Sequence, residues 1–222
     1  MYIAVAGNIG SGKTTLTNLL SRHFNWYAAY ENIENNPYLV SFYEDMQRWS
    51  FNIQIFYLNM RFKQMVELQK MKKPAIQDRT VYEDAYIFAP NLHDMGLMAT
   101  RDYENYLSMF ELVNSFIKAP DLLIYLRAST STLVQNIQKR GRKYENTIRL
   151  DYLQNLNERY EQWISNYDKG KLMIIDTDVN RFDENPDALG NILNDVSAEF
   201  FGLFNEQEVV EEKTKKRRSR KK

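Results

Sequence analysis

Eight consecutive residues near the start of the chain, Gly7-Asn8-Ile9-Gly10-Ser11-Gly12-Lys13-Thr14, have the types and spacing that surround a polyphosphate. The G-x-x-x-x-G-K-[ST] pattern leaves backbone amides free to face the phosphates, adds Lys13 as a point charge on the outer ones, and offers the Thr14 hydroxyl to Mg²⁺. The flanks agree with this reading: residues 2–6 alternate like a first strand, and residues 15–24, opening on Thr15, which joins the phosphate-contacting residues, read as a helix with Leu16, Leu19, Leu20 and Phe24 on one side.

Four further groups carry chemistry. Glu31 ends a second strand-like run, where a carboxylate facing the γ-phosphate position takes a proton from an attacking hydroxyl; taken alone, such a glutamate is more often a solvated strand-end residue, and Glu34 is a rival base. Asp78 ends a third run and suits the Mg²⁺ shell, with the Arg79 fork beside it; a buried structural ion pair is the competing account. Arg140 and Arg142 flank Gly141 at a helix end, placed for a closing lid that neutralises a transferring phosphoryl group, or simply for the helix dipole. Gln54 and Arg61 lie seven apart in an aromatic segment beginning at Tyr43, so they share one helical face, where an amide can pair with a base edge.

These residues need a scaffold that collects strand ends. Strand candidates at 2–6, 27–31, 74–77, 122–126 and 171–175 alternate with helical stretches that include 102–118, 131–140 and 150–167. The pattern predicts an α/β fold, a P-loop protein with a five-stranded parallel sheet wrapped by helices, with ligands outside the carboxyl ends of the strands. One domain is expected over residues 1–205, with a lid about 140–147 and a last helix running to about Phe204. The 222 residues include no cysteine and two histidines, which excludes a disulfide framework and a thiolate metal site. No apolar run reaches membrane-spanning length and the phosphate loop starts at Gly7, so neither a membrane segment nor a leader is expected and a cytoplasmic location is. The 29 basic and 29 acidic residues balance, yet residues 213–222 hold eight of the basic ones and no acidic one. Residues 206–222 therefore read as a disordered basic tail, a solubilising segment or a weak tether to nucleic acid.

In order along the chain, G-N-I-G-S-G-K-T, Y-E-N, Y-x₅-W-x₄-Q, D-R-T-V-Y-E-D, L-I-Y-L-R and K-R-G-R-x₂-E resemble the deoxynucleoside kinase family, in its deoxycytidine/deoxyguanosine/deoxyadenosine kinase-like branch. The resemblance implies transfer of the ATP γ-phosphate to the 5′-hydroxyl of a deoxynucleoside, nucleotide salvage, and a homodimer. By position it implies that Glu31 is the general base, that Gln54 reads the base, and that Tyr43 and Glu145 hold the 3′-hydroxyl. Asp78 matches the acidic residue of an E/D-R-S motif, with Thr80 in place of Ser, and Arg79 sits beside the 5′ end. Arg140 and Arg142 match lid arginines, while an earlier lid position that is often Arg is Asn136. Arg61 and Asp84 match a pair carried by members that act on purines and deoxycytidine, which favours deoxyadenosine or deoxyguanosine, with deoxycytidine next. The ATP base falls to the loop from Asp178 to Phe182.

Two rivals stay open on the residues alone. A nucleoside monophosphate kinase of the thymidylate kinase type shares the phosphate loop, the D-R pair and the arginine lid, but Glu31 would repel its acceptor phosphate. A non-enzymatic nucleic-acid-binding protein rests only on the tail and predicts affinity that collapses with salt.

Overall fold

The apolar runs nearest the phosphate loop become the two central strands, β1 (Tyr2–Gly7) and β4 (Leu122–Arg127), whose side chains are buried almost without alternation, as in parallel sheets covered on both faces. They belong to a computed structural model that describes residues 1–31, 36–200 and 202. With β2 (Tyr27–Ala29), β3 (Ala75–Asp78) and β5 (Lys171–Asp176) they form one parallel sheet in the order β2-β3-β1-β4-β5. The register sets Val5 beside Asp78, Ala29 beside Gln77 and Gly7 beside Leu126. The carboxyl ends of β1, β2 and β3 thus meet at one edge, where the strand order reverses and α/β sheets bind their ligands.

The helices supply the rest of that edge. Helix α1 (Lys13–Phe24) starts directly from the phosphate loop. Asp45 separates α2 (Leu39–Glu44) from α3 (Met46–Lys70), ending the first and capping the second by accepting from the Arg48 amide at 3.0 Å. Tyr43 and Gln54 therefore lie on different helices. The buried face of α3 carries Gln54 and Arg61 among Ile53, Leu58, Met65 and Leu68, polar groups on an apolar stripe.

After β3, Thr80 and Glu83 close a capping box that opens α4 (Val81–Glu83). The helical run continues through a π-helical turn, Asp84–Phe88, into α5 (Ala89–Asp94). Helix α6 spans Thr100–Asn114, beginning earlier and stopping short of residues 115–118, which the periodicity had included. Helix α7 (Thr130–Arg140) ends on Gly141 in the left-handed region, a short 3₁₀ turn covers Lys143–Thr147, and α8 (Leu150–Ser165) follows. Strand two ends at Ala29, leaving Glu31 two residues beyond the ladder.

The chain divides into two compact units, Met1–Val179 and Asn180–Lys222. In the second, Asn185 Oδ1 accepts from the amides of Asp187 (2.9 Å) and Ala188 (3.4 Å), starting a helix over 186–200 behind Pro186. Phe182 belongs to this unit. Glu34, residues 201 and 203–204 beyond that helix, and the basic tail lie outside the described residues. Among the described residues no helix is long and apolar enough to cross a membrane.

Candidate active site

The phosphate loop is tied down at every turn. Gly10 adopts a φ of +87°, and a Cβ there would lie 2.8 Å from the Leu133 carbonyl on α7, so only glycine fits. The Asn8 side chain, buried, donates to the Leu153 carbonyl (3.1 Å) and Asn157 Oδ1 (2.6 Å) on α8, while the Asn136 amide reaches the Gly10 carbonyl at 2.8 Å. Asn136 thus braces the loop from α7. Lys13 Nζ turns back to the Asn8 carbonyl (2.8 Å). Burial pushes its ammonium down to about 7, Arg79 adds repulsion, and the carboxylates of Asp78, Glu83 and Glu31 oppose the shift. An anion in the loop restores the charge.

Thr14 donates its hydroxyl to Asp78 Oδ2, and Asp78 Oδ1 is buried with no partner among the described residues. A hard divalent cation fits this pair: one hydroxyl and one carboxylate leave its remaining positions to phosphate oxygens and water. No cluster of three or more His, Cys, Asp or Glu competes as a cation site among the described residues.

An open cleft of about 740 Å³ adjoins the loop and is lined by Ile9, Gly10, Lys13 and Thr14 on one side. Glu31, Arg79 and Asp84 line it next, then Gln54, Tyr57, Tyr43 and Phe88, and finally Arg140, Arg142 and Glu145. The fold so gathers residues scattered over more than a hundred positions. Glu31 Oε1 accepts from Arg61 Nη2 at 2.8 Å and Oε2 lies 3.8 Å from Arg79 Nε. Burial works to raise the Glu31 carboxyl, but Arg79, Arg61 and Lys13 outweigh it and hold it below the usual glutamate range. It is ionised at neutral pH and free to accept a proton.

Arg61 is fully buried and does not line the cleft. Its Nε pairs with Asp84, one Nη with Glu31, and the other reaches the Arg79 carbonyl at 3.4 Å. Burial disfavours its charge, yet Asp84 and Glu31 raise its pKa further. Arg61 was expected to present donors to a nucleobase; in this structure those donors are paired with Asp84, Glu31 and the Arg79 carbonyl, and of the pair it is Asp84 that lines the cleft. Gln54, by contrast, lines the cleft, and its buried Oε1 has no partner among the described residues. Arg79 adopts φ +68°, a strained left-handed backbone for a side-chain-bearing residue, with its guanidinium 4.5 Å from the Phe88 ring centre.

At the far side, Arg140 holds Glu145 through two bonds of 3.1 and 2.7 Å, and Arg142 Nη1 lies 3.5 Å from the same carboxylate. The expected lid charges and the expected 3′-hydroxyl ligand are thus one cluster. Tyr43 stacks on Tyr144 beside it, 5.7 Å between ring centres. Thr15 is exposed on α1. Asp178 follows β5 and accepts from the Ser129 amide at 3.1 Å, so its carboxylate braces the start of α7.

Phe88, Tyr57, Glu83 and Tyr160 were not singled out by sequence reasoning. Phe88 falls one helical turn after Asp84, and the T-x-x-E spacing of Thr80 and Glu83 is a readable capping signal. Tyr57 and Tyr160 have none, because a tyrosine in an apolar pattern reads as core.

The sequence model of one family, described as deoxynucleoside kinase, matches residues 3–201. A deoxyadenosine/deoxycytidine kinase of Bacillus subtilis is 37% identical over 201 residues, covering 88% of this chain and 91% of the relative. A deoxyguanosine kinase of the same organism is 36% identical over 164 residues, 72% of this chain and 76% of the relative. Among solved structures, a deoxyadenosine kinase from M. mycoides with bound dATP superposes with a TM-score of 0.79 at 30% identity, covering 89% of this chain and all of that one. With a phosphate loop, an ionised carboxylate and an arginine cluster around one cleft, and with these matches over nearly its whole described length, the chain belongs to the deoxynucleoside kinase family.

Proposed function

We propose that this ATP-dependent deoxynucleoside kinase acts by preference on purine deoxynucleosides, deoxyadenosine or deoxyguanosine, with deoxycytidine as a further acceptor. The observation that carries this is the cleft pairing of Gln54, with its unpartnered buried oxygen, and Asp84, an acceptor fixed by Arg61. The Asp84 carboxylate seeks a hydrogen-bond donor and the Gln54 amide sets an acceptor beside its own donors, which suits the exocyclic amine that adenine, guanine and cytosine carry and thymine lacks. Relatives named for deoxyadenosine, deoxyguanosine and deoxycytidine support the same range. Steady-state kcat/KM for the four deoxynucleosides with Mg·ATP tests it, and a preference for thymidine would overturn it.

In the proposed reaction Glu31 removes the 5′-hydroxyl proton as that oxygen bonds to the γ-phosphorus and the bond to the β–γ bridging oxygen breaks, releasing ADP. Lys13 and the loop amides hold the donor phosphates. Thr14 and Asp78 would hold Mg²⁺, which screens the phosphate charge. Arg79 sits beside the acceptor 5′ end, and Tyr43 and Glu145 take the 3′-hydroxyl. Asp178 is proposed for the ATP base. Exposed Leu112 and Phe116 at the end of α6 support a homodimer.

Arg140 and Arg142 are proposed to leave Glu145 for the transferring phosphoryl group once the acceptor engages that carboxylate. Arg140→Ala and Arg142→Ala should each lower kcat by about 10²-fold, the usual loss for one preorganised donor. A change confined to the KM for ATP would make their role uniform binding.

Substitution of the Arg61–Asp84 pair tests the base preference. Each single change strands a buried charge and should cost about 3–5 kcal/mol of stability, whereas Arg61→Met with Asp84→Ala removes both charges. In the double variant the ratio of thymidine to deoxyadenosine kcat/KM should rise at least about tenfold. Because Arg61 also holds Glu31, kcat should fall for every acceptor. An unchanged ratio would leave the pair structural only.

A further inference from the structure

Two buried side chains outside the cleft, Glu83 and Tyr160, meet the first residue of the phosphate loop. The Gly7 amide donates to Glu83 Oε1 at 3.2 Å, and the Gly7 carbonyl lies 2.8 Å from the Tyr160 hydroxyl. That hydroxyl is also 2.8 Å from Glu83 Oε1 and accepts from Arg79 Nη1 at 3.3 Å. The second Glu83 oxygen accepts from the Thr80 amide at 2.7 Å. One phenolic oxygen, with one proton for two acceptors, therefore joins the donor-phosphate loop, the Asp78-Arg79-Thr80 turn and the Arg79 side chain.

Each partner is itself held fast. Glu83 and Tyr160 have no exposed surface. Tyr160 stacks on Tyr125 of β4 with ring centres 5.7 Å apart and planes at 16°. Leu153 and Asn157, which grip Asn8, precede it on the same face of α8. A Cβ at Gly7 would lie 2.5 Å from Ser11 Oγ, so the backbone there has no slack.

We propose that Glu83 and Tyr160 are positioning residues that lock the phosphate loop and Arg79 in one register, and so fix the approach of the acceptor hydroxyl to the γ-phosphate. This rests on the roles proposed above for the loop and Arg79. Neither residue touches the reacting atoms. Their effect is on geometry, to which phosphoryl transfer is sensitive at the ångström scale.

Tyr160→Phe tests this against Tyr125→Phe, which removes the same group from the other ring of the stack. Among the described residues the Tyr125 hydroxyl pairs with Glu161, at 3.0 Å, and with no residue of the loop. With both substrates saturating, Tyr160→Phe should lower kcat about 10- to 100-fold while the deoxynucleoside KM stays within about threefold and the folded fraction is unchanged. Tyr125→Phe should keep kcat within about twofold. Equal losses in the two variants, a loss that follows the folded fraction, or a KM effect with kcat retained would each overturn the proposal. Glu83→Gln, which sets an amide group against the Gly7 or Thr80 N–H, carries the same criteria should Tyr160→Phe not fold. A wild-type protein that phosphorylates no deoxynucleoside refutes the functional reading; an active wild type with unimpaired Tyr160→Phe and Glu83→Gln refutes only the positioning.

Discussion

Glu31→Gln is expected to reduce kcat by about 10²–10⁴-fold, the range for losing a general base, with a much smaller change in deoxynucleoside binding. The glutamine keeps the shape and can still accept from Arg61, but it cannot take the proton. The pH profile gives an independent check. Because Arg79 and Arg61 overcome the burial cost and depress this carboxyl, the acid limb of kcat/KM should fall below the ordinary glutamate value of 4.5. The same depression stabilises the folded chain above the unfolded pKa, a contribution lost as pH falls through the folded one. Replacing Arg61 should move the limb upward. Near wild-type turnover in Glu31→Gln would remove Glu31 as the base and turn attention to Glu34.

Lys13→Ala should cost about 3–4 kcal/mol of transition-state stabilisation, a drop of about 10²–10³-fold in kcat. Lys13 is almost wholly buried, and its ammonium donates to the Asn8 carbonyl. It is poised to gain more than an exposed lysine when charge builds on the transferring group. Single-turnover kinetics with bound ATP would separate this from weaker ATP binding: a change only in the ATP concentration for half-saturation contradicts a transition-state role.

The sheet was legible because its central strands, IAVA and LLIYL, are continuous apolar runs and its phosphate loop has a fixed spacing. The ends were less so. Glu31 was placed on the strand, yet β2 stops at Ala29. Gln54 and Arg61 were read onto one helical face, and α3 carries both, but the break at Asp45, marked by a capping side chain within an aromatic stretch, was not read. Asp84 and Arg61 were paired correctly, but which of the two faces the cleft depends on the π-helical turn and on the competing pull of Glu31, both long-range outcomes. Glu145 and its two arginines were noted separately, since nothing in their spacing says that the carboxylate holds both guanidinium groups.

The guanidinium of Arg61 joins the carboxylate proposed to read the base to the one proposed to take the proton. Substrate choice and turnover therefore share a component, and neither can be altered by substitution there without disturbing the other. Widening the acceptor range of this scaffold toward thymidine would require a compensating change that gives Glu31 a new cation. Selection for a broader enzyme should thus recover linked replacements around Arg61, Asp84 and Glu31, in which the first step alone is a loss and the set is a gain.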